Sequence, residues 1–208
     1  MQNHITNSLE ICGKVSAPVS PAHSIYGENF YEFMIEVPRL SGNIDTLPVT
    51  LPGRAMTRSL ELGDYICVKG QIRSYNKFID GKGRLELRVF LHSFEQCAEG
   101  TARNELKLVG FICRQPVFRV TPFGREITDM MLAVNRTYNK SDYIPAIAWG
   151  KTARMACELN VGDCVNALGR MQSREYDKLL PDGRRERRTA YEVSLMRLEK
   201  CIRDNYEE

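Results

Sequence analysis

At 208 residues, 43% of them hydrophobic, the chain can form one large domain or two of about 100 residues, and it is too apolar for a disordered protein. A formal net charge of +3 is only mildly basic, so any argument for nucleic acid must rest on where the charge lies. No apolar run approaches the roughly 20 residues of a membrane helix, and no basic segment followed by an apolar one opens the chain; a cytoplasmic protein without a secretory signal is expected.

In chain order, the first strand-like run is Asn7-Ser8-Leu9-Glu10-Ile11-Cys12-Gly13, and it returns as Asn104-Glu105-Leu106-Lys107-Leu108-Val109-Gly110. The glycine inside each run marks a bend or bulge. In the same register Gly27 meets Gly124, Val37 meets Val134, Arg39 meets Arg136, Asp45 meets Asp142, Pro48 meets Pro145 and Gly53 meets Gly150. Within the second strand of the first half, Phe30, Tyr31 and Phe33 read as core or interface residues. After the third strand of the second half, residues 151–159 suit a short helix. The repeat then resumes with Gly63-Asp64 over Gly162-Asp163 and Gly70 over Gly169.

Fourth strands follow, with Ile66, Val68, Gly70 and Ile72 in the first half and Val165, Ala167, Gly169 and Met171 in the second. Asp80-Gly81 and Pro181-Asp182-Gly183 are hairpin turns. The last strands alternate, Leu85, Leu87, Val89 and Leu91 in one half and Tyr191, Val193 and Leu195 in the other. One register over so many glycine and apolar positions implies two homologous domains, 1–98 and 104–202, with a polar linker at 99–103 and a short tail at 203–208. The expected fold is all-β: two tandem five-stranded OB-fold Greek-key barrels, each with a short helix between strands three and four.

The seven cysteines are odd in number and none form C-x-x-C, so buried free thiols in a reducing compartment are expected. The histidines His4, His23 and His92 have no ligand spacing, so neither metal nor cofactor is expected.

Function concentrates in the second half. Tyr143, Pro145, Ile147 and Trp149 share one face of the third strand; Ile144, Ala146 and Ala148 share the other. Small aliphatic residues fit the inside of a small barrel, leaving the aromatics on the face OB-folds use for oligonucleotides. Parity alone also allows the reverse. Arg136, Lys140 and Lys151 flank the aromatics and Arg170 and Arg174 lie on the next strand, which favours the exposed arrangement. Rings would stack on bases and cations would track phosphates, with no catalytic group required. The hairpin after Tyr176 carries Arg184, Arg185, Arg187 and Arg188, read as strand contacts rather than a merely solvated run.

The second half resembles the bacterial single-stranded DNA-binding (SSB) protein family. The matching segments are Leu132-Ala133-Val134-Asn135-Arg136-Thr137-Tyr138, Asp142 through Lys151, Val161-Gly162-Asp163, and Leu168-Gly169-Arg170-Met171 with Ser173, Arg174 and Tyr176. By position the resemblance implies base stacking on Tyr143, Trp149 and Tyr176, with Tyr138 near another such position. It also implies a non-enzymatic protein that binds and protects single-stranded DNA in replication, recombination or repair. Two OB-folds per chain imply a homodimer with four, and cytoplasmic, nucleoid-associated localisation.

Two departures stand out. Only a few residues follow the last strand, so recruitment of replication proteins through an acidic tail is not expected. In the first half Pro52 stands for Trp149, Thr46 for Tyr143 and Ser41 for Tyr138. That half keeps Arg73, Tyr75, Lys77 and Phe78 as candidate DNA contacts. A primosome-type or mobile-element accessory protein, working mainly through protein–protein contact, is the rival reading. An OB-fold nuclease would need clustered carboxylates that the sequence does not supply.

Overall fold

The computed structural model describes residues 6–79, 82–137, 140–180 and 183–201. They divide into two compact units. The first holds 9–105 and 171–192; the second holds 106–170 with the residues before 9 and after 192.

The first unit contains β1 (Asn7–Val15), β2 (Ser20–Ile25), β3 (Glu28–Pro38), β4 (Ile44–Pro52), β5 (Tyr65–Ile79) and β6 (Lys82–Gln96). Five of these pair in a closed circuit. β1 joins β3, β3 joins β4, β4 runs parallel to β6, β6 joins β5, and β5 returns to β1. Closing the circuit removes the free sheet edges that a domain this small could not otherwise cover. β2 is an extra strand laid along β3, exposed throughout.

Alternation fixes which side chains enter the core. Ile35 and Val37, Leu47, Val49 and Leu51, and Leu87, Val89 and Leu91 are all buried. Gly70 permits the closure: a Cβ there would lie 2.3 Å from the carbonyl oxygen of Phe90. The outer half of a later hairpin also belongs to this unit. Asp45, fully buried, accepts from Arg39 Nε at 2.7 Å and from the backbone N–H of Ser173 at 2.7 Å. Ser173 Oγ accepts in turn from the N–H of Thr46 at 3.1 Å.

The second unit is built from β7 (Arg103–Val120) from Leu106 on, β8 (Glu126–Asn135), β9 (Ser141–Trp149), α1 (Gly150–Ala156), β10 (Cys164–Leu179) as far as Arg170, and β11 (Arg185–Lys200) from Val193 on. The same circuit recurs: β7 with β8, β8 with β9, β9 parallel to β11, β11 beside β10, and β10 with β7. Gly169 repeats the role of Gly70, its Cβ position 2.3 Å from the carbonyl oxygen of Ser194. Ala153 and Ala156 of α1 are fully buried, and Thr128 Oγ1 donates to the Ala153 carbonyl at 2.7 Å.

Two expectations are corrected. The first unit has no α-helix after its third strand, only a 3-10 turn at Gly53–Ala55 with no buried residue. At the offset that places Gly53 on Gly150, Met56 and Ser59 stand where the second half has Ala153 and Ala156. A long side chain and a polar one replace the two small residues that seat α1 against its sheet. The second correction concerns cysteine. Cys12 and Cys67 are joined by a disulfide across the β1–β5 pair, where the register sets them opposite each other. The other five cysteines are in the thiol form.

Candidate nucleic-acid interface

β9 presents the alternation that the sequence suggests. Ile144, Ala146 and Ala148 are buried, and Tyr143 is 48% exposed. Trp149 is partly exposed at the strand end, and its Nε1 donates to Ser194 Oγ on β11 at 3.2 Å. The aromatics therefore take the outer side and the small residues the core. Ile147 breaks the pattern, being buried despite its outward parity.

The cations around this strand fall into two groups. Lys140 and Lys151 are exposed at either end of β9, and Arg170 is partly exposed on β10. Arg136 differs from expectation. Its guanidinium is engaged with the fully buried Asp142, Nε donating at 2.5 Å, and a second Arg136–Asp142 bond completes the fork. Such a fork ties the residue after β8 to the start of β9, as Arg39 with Asp45 ties β3 to β4 in the first unit. The signal was present in the sequence: an arginine and an aspartate six positions apart recur in both halves.

The remaining described residues of the prediction lie in the first unit. Tyr176 is partly exposed, with the Arg174 guanidinium 5.7 Å from its ring centroid, and Arg174 also meets Glu192 at 3.5 Å. Arg184 and Arg185 are exposed, whereas Arg187 pairs with Glu175 and Arg188 with Glu186. The Arg188 guanidinium holds the Glu186 carboxyl below the usual range. Arg187 and Arg188 are thus engaged with carboxylates. Tyr75 and Lys77 are exposed on β5, and Arg73 is partly buried there. Tyr138 and the side chain of Phe78 lie outside the described residues.

The first unit also has an aromatic group that sequence reasoning missed. Phe33 enters the core, but Phe30 turns outward and stacks on His23, centroids 4.8 Å apart with planes 13° from parallel. Phe90 lies 6.2 Å from Phe30 and 5.9 Å from His92. Burial and the nearby Arg73 and Arg54 push the His92 imidazole below the ordinary histidine range, which keeps it neutral. Alternation along β6, where Val89 and Leu91 are buried, was the available signal.

Closed five-strand circuits, a helix before the fourth strand of the second, and aromatics on an outer strand face define an all-β protein of the OB-fold class. Residues 103–200 match the model of the single-strand binding protein family. The chain is 35% identical over 89 residues to single-stranded DNA-binding protein 2 of Listeria innocua, covering 39% of this chain and 55% of that protein. It is 33% identical over 81 residues to single-stranded DNA-binding protein B of Bacillus subtilis, covering 36% of this chain and 72% of that protein. The crystal structure of wild-type single-stranded DNA binding protein from Thermus aquaticus superposes with a TM-score of 0.78 at 24% identity, covering 97% of this chain and 96% of that one, a likeness of fold. The chain belongs to the single-strand binding protein family. It spans little more than half the length of the Listeria relative.

Proposed function

We propose that the chain binds and protects single-stranded DNA through two tandem OB-fold domains, 1–98 and 104–202, with no chemistry of its own. The observation that carries the reading is β9: Tyr143 and Trp149 lie outside a strand whose other face is core, between the exposed Lys140 and Lys151. A base has a π-face whatever its identity, so outward rings bind strands with little sequence preference, at roughly 1–3 kcal/mol per base. The lysines supply phosphate contacts whose strength falls with salt. Arg170 adds to the contact in the second unit, and Arg174, Tyr176, Arg184 and Arg185 are assigned DNA contacts in the first. Arg136 acts by tying the end of β8 to Asp142 at the start of β9. Replication, recombination or repair is the setting in which such a protein works, and a homodimer with four OB-folds is the assembly the family resemblance implies.

The test is titration with oligo-dT, following the emission of the chain's single tryptophan at low and high salt. Strong quenching that weakens with salt is expected. Unchanged emission together with no salt-dependent binding by filter retention would overturn both the function and the site. Sedimentation of the unbound protein tests the dimer.

A further inference from the structure

The two units carry their outward rings on different strands. In the second unit Ile147 of β9 lies opposite Ser194 of β11; in the first, Thr50 of β4 lies opposite Phe90 of β6. These pairs are equivalent by strand order, so Ser194 corresponds to Phe90. Two residues further along the third strand, Trp149 corresponds to Pro52. Where the second unit has a Trp reaching a small Ser, the first has a Pro beside a Phe. The outward ring stands on the third strand in the second unit and on the fifth in the first, with a smaller residue beside it in each.

We infer that Phe90, with Phe30 and His92, forms a second base-stacking surface for single-stranded DNA on the first unit. Phe90 lies between the fully buried Val89 and Leu91, so its ring points away from the core. It borders a hollow of about 320 Å³ lined by Pro52, Arg54, Ala55, Leu91 and His92, within the size range of small-molecule sites. Phe30, opposite Pro52 in the β3–β4 register, extends the aromatic floor toward His23.

Charge around the hollow suits a nucleotide. The Arg73 guanidinium stands 6.0 Å from the Phe90 centroid, and Arg54 at the rim is 71% exposed. Glu28 is balanced by Arg54, while Glu32 and Glu86 share Arg88, which leaves one net negative charge for Arg73 to offset. Stacking therefore dominates here and phosphate attraction is secondary, so binding at this surface depends less on salt than binding at Trp149. The inference rests on the proposed DNA binding but concerns residues that reading does not use.

The double variant Trp149→Phe, Phe90→Trp carries its only indole at position 90. Saturating oligo-dT should quench it, and Phe90→Leu, which keeps an apolar side chain of similar bulk, should weaken binding of a long oligo-dT by about tenfold. Phe90→Leu should leave quenching of Trp149 by a short oligo-dT unchanged. Thermal unfolding of both variants checks that they fold; if Phe90→Trp is misfolded, Phe90→Leu alone decides. The inference is overturned if wild-type Trp149 is quenched while position 90 is silent and Phe90→Leu binds the long oligo as wild type does. In that outcome the aromatic face serves something other than DNA and the proposed function stands. Absence of any wild-type binding overturns both.

Discussion

Trp149 Nε1 donates to Ser194 Oγ at 3.2 Å, tying the end of β9 to β11 in the second unit. Ser194 is only 5% exposed, so the indole satisfies a nearly buried hydroxyl while part of its own ring stays open. The bond fixes the ring plane in advance, which under the proposed function lowers the ordering cost of stacking a base. Trp149→Ala is expected to cost about 1–3 kcal/mol of single-stranded DNA affinity. Ser194→Ala, which frees the ring without removing it, should cost about 1 kcal/mol or less. Substitution of Thr46 or Pro52 should change affinity far less than Trp149→Ala. Fluorescence anisotropy of labelled oligo-dT gives all four values on one scale.

The buried Asp45 makes a different kind of claim, one about stability. It accepts from the Arg39 guanidinium and from the Ser173 backbone, holding the β3–β4 loop and the hairpin together. Asp45→Ala leaves the Ser173 N–H without its acceptor and Arg39 without its carboxylate, though Arg39 Nη2 keeps its bond to the Ser173 carbonyl at 3.0 Å; the expected cost is about 3 kcal/mol, discounted from a fully buried pair because Arg39 is partly exposed. Ser173→Ala keeps the backbone donor and should cost about 1 kcal/mol. Urea unfolding distinguishes the two, and equal effects would remove Asp45 from this role.

Much of the outline was legible because it depends on local alternation. Ile144, Ala146 and Ala148 had to share a face, and small residues inside a small barrel put Tyr143 and Trp149 outside. The repeat likewise exposed Arg39 with Asp45 and Arg136 with Asp142 as matched pairs, though not that the arginine would be spent on the aspartate. What escaped depends on register between distant strands. Cys12 and Cys67 become neighbours only once β1 pairs with β5. Phe30 and Phe90 meet only because β4 bridges their strands, so neither run of sequence announced an aromatic surface. In the first half Met56 and Ser59 stand where Ala153 and Ala156 seat α1, a difference of size and polarity that matters only against a particular sheet.

The disulfide yields a count. Denatured without reductant, the protein should titrate five thiols of its seven cysteines, rising to seven after reduction. Before denaturation Cys113 should react slowly with alkylating agents, since burial pushes its thiol up against the opposing pull of Arg114 and less thiolate is present. Seven thiols without reductant would show that Cys12 and Cys67 are reduced in the isolated protein.

The close approach at Gly169 links stability to the site. A Cβ there would lie 2.3 Å from the Ser194 carbonyl oxygen, a backbone atom that cannot rotate aside, so β10 and β11 must separate. Gly169→Ala should therefore destabilise by about 3 kcal/mol or more, by the overpacking mechanism. Moving Ser194 also moves the acceptor of the Trp149 indole, so DNA affinity should fall even where the protein remains folded. Gly124, in the turn between β7 and β8 with φ of 73° and open space around its Cβ position, is the control. Gly124→Ala meets only the backbone penalty of a left-handed conformation, about 1 kcal/mol, and should leave affinity unchanged. Thermal unfolding and oligo-dT binding of both variants, measured below their melting temperatures, test the pair together. If Gly169→Ala lowers the melting temperature but binds DNA as tightly as wild type, the Ser194 contact does not position Trp149.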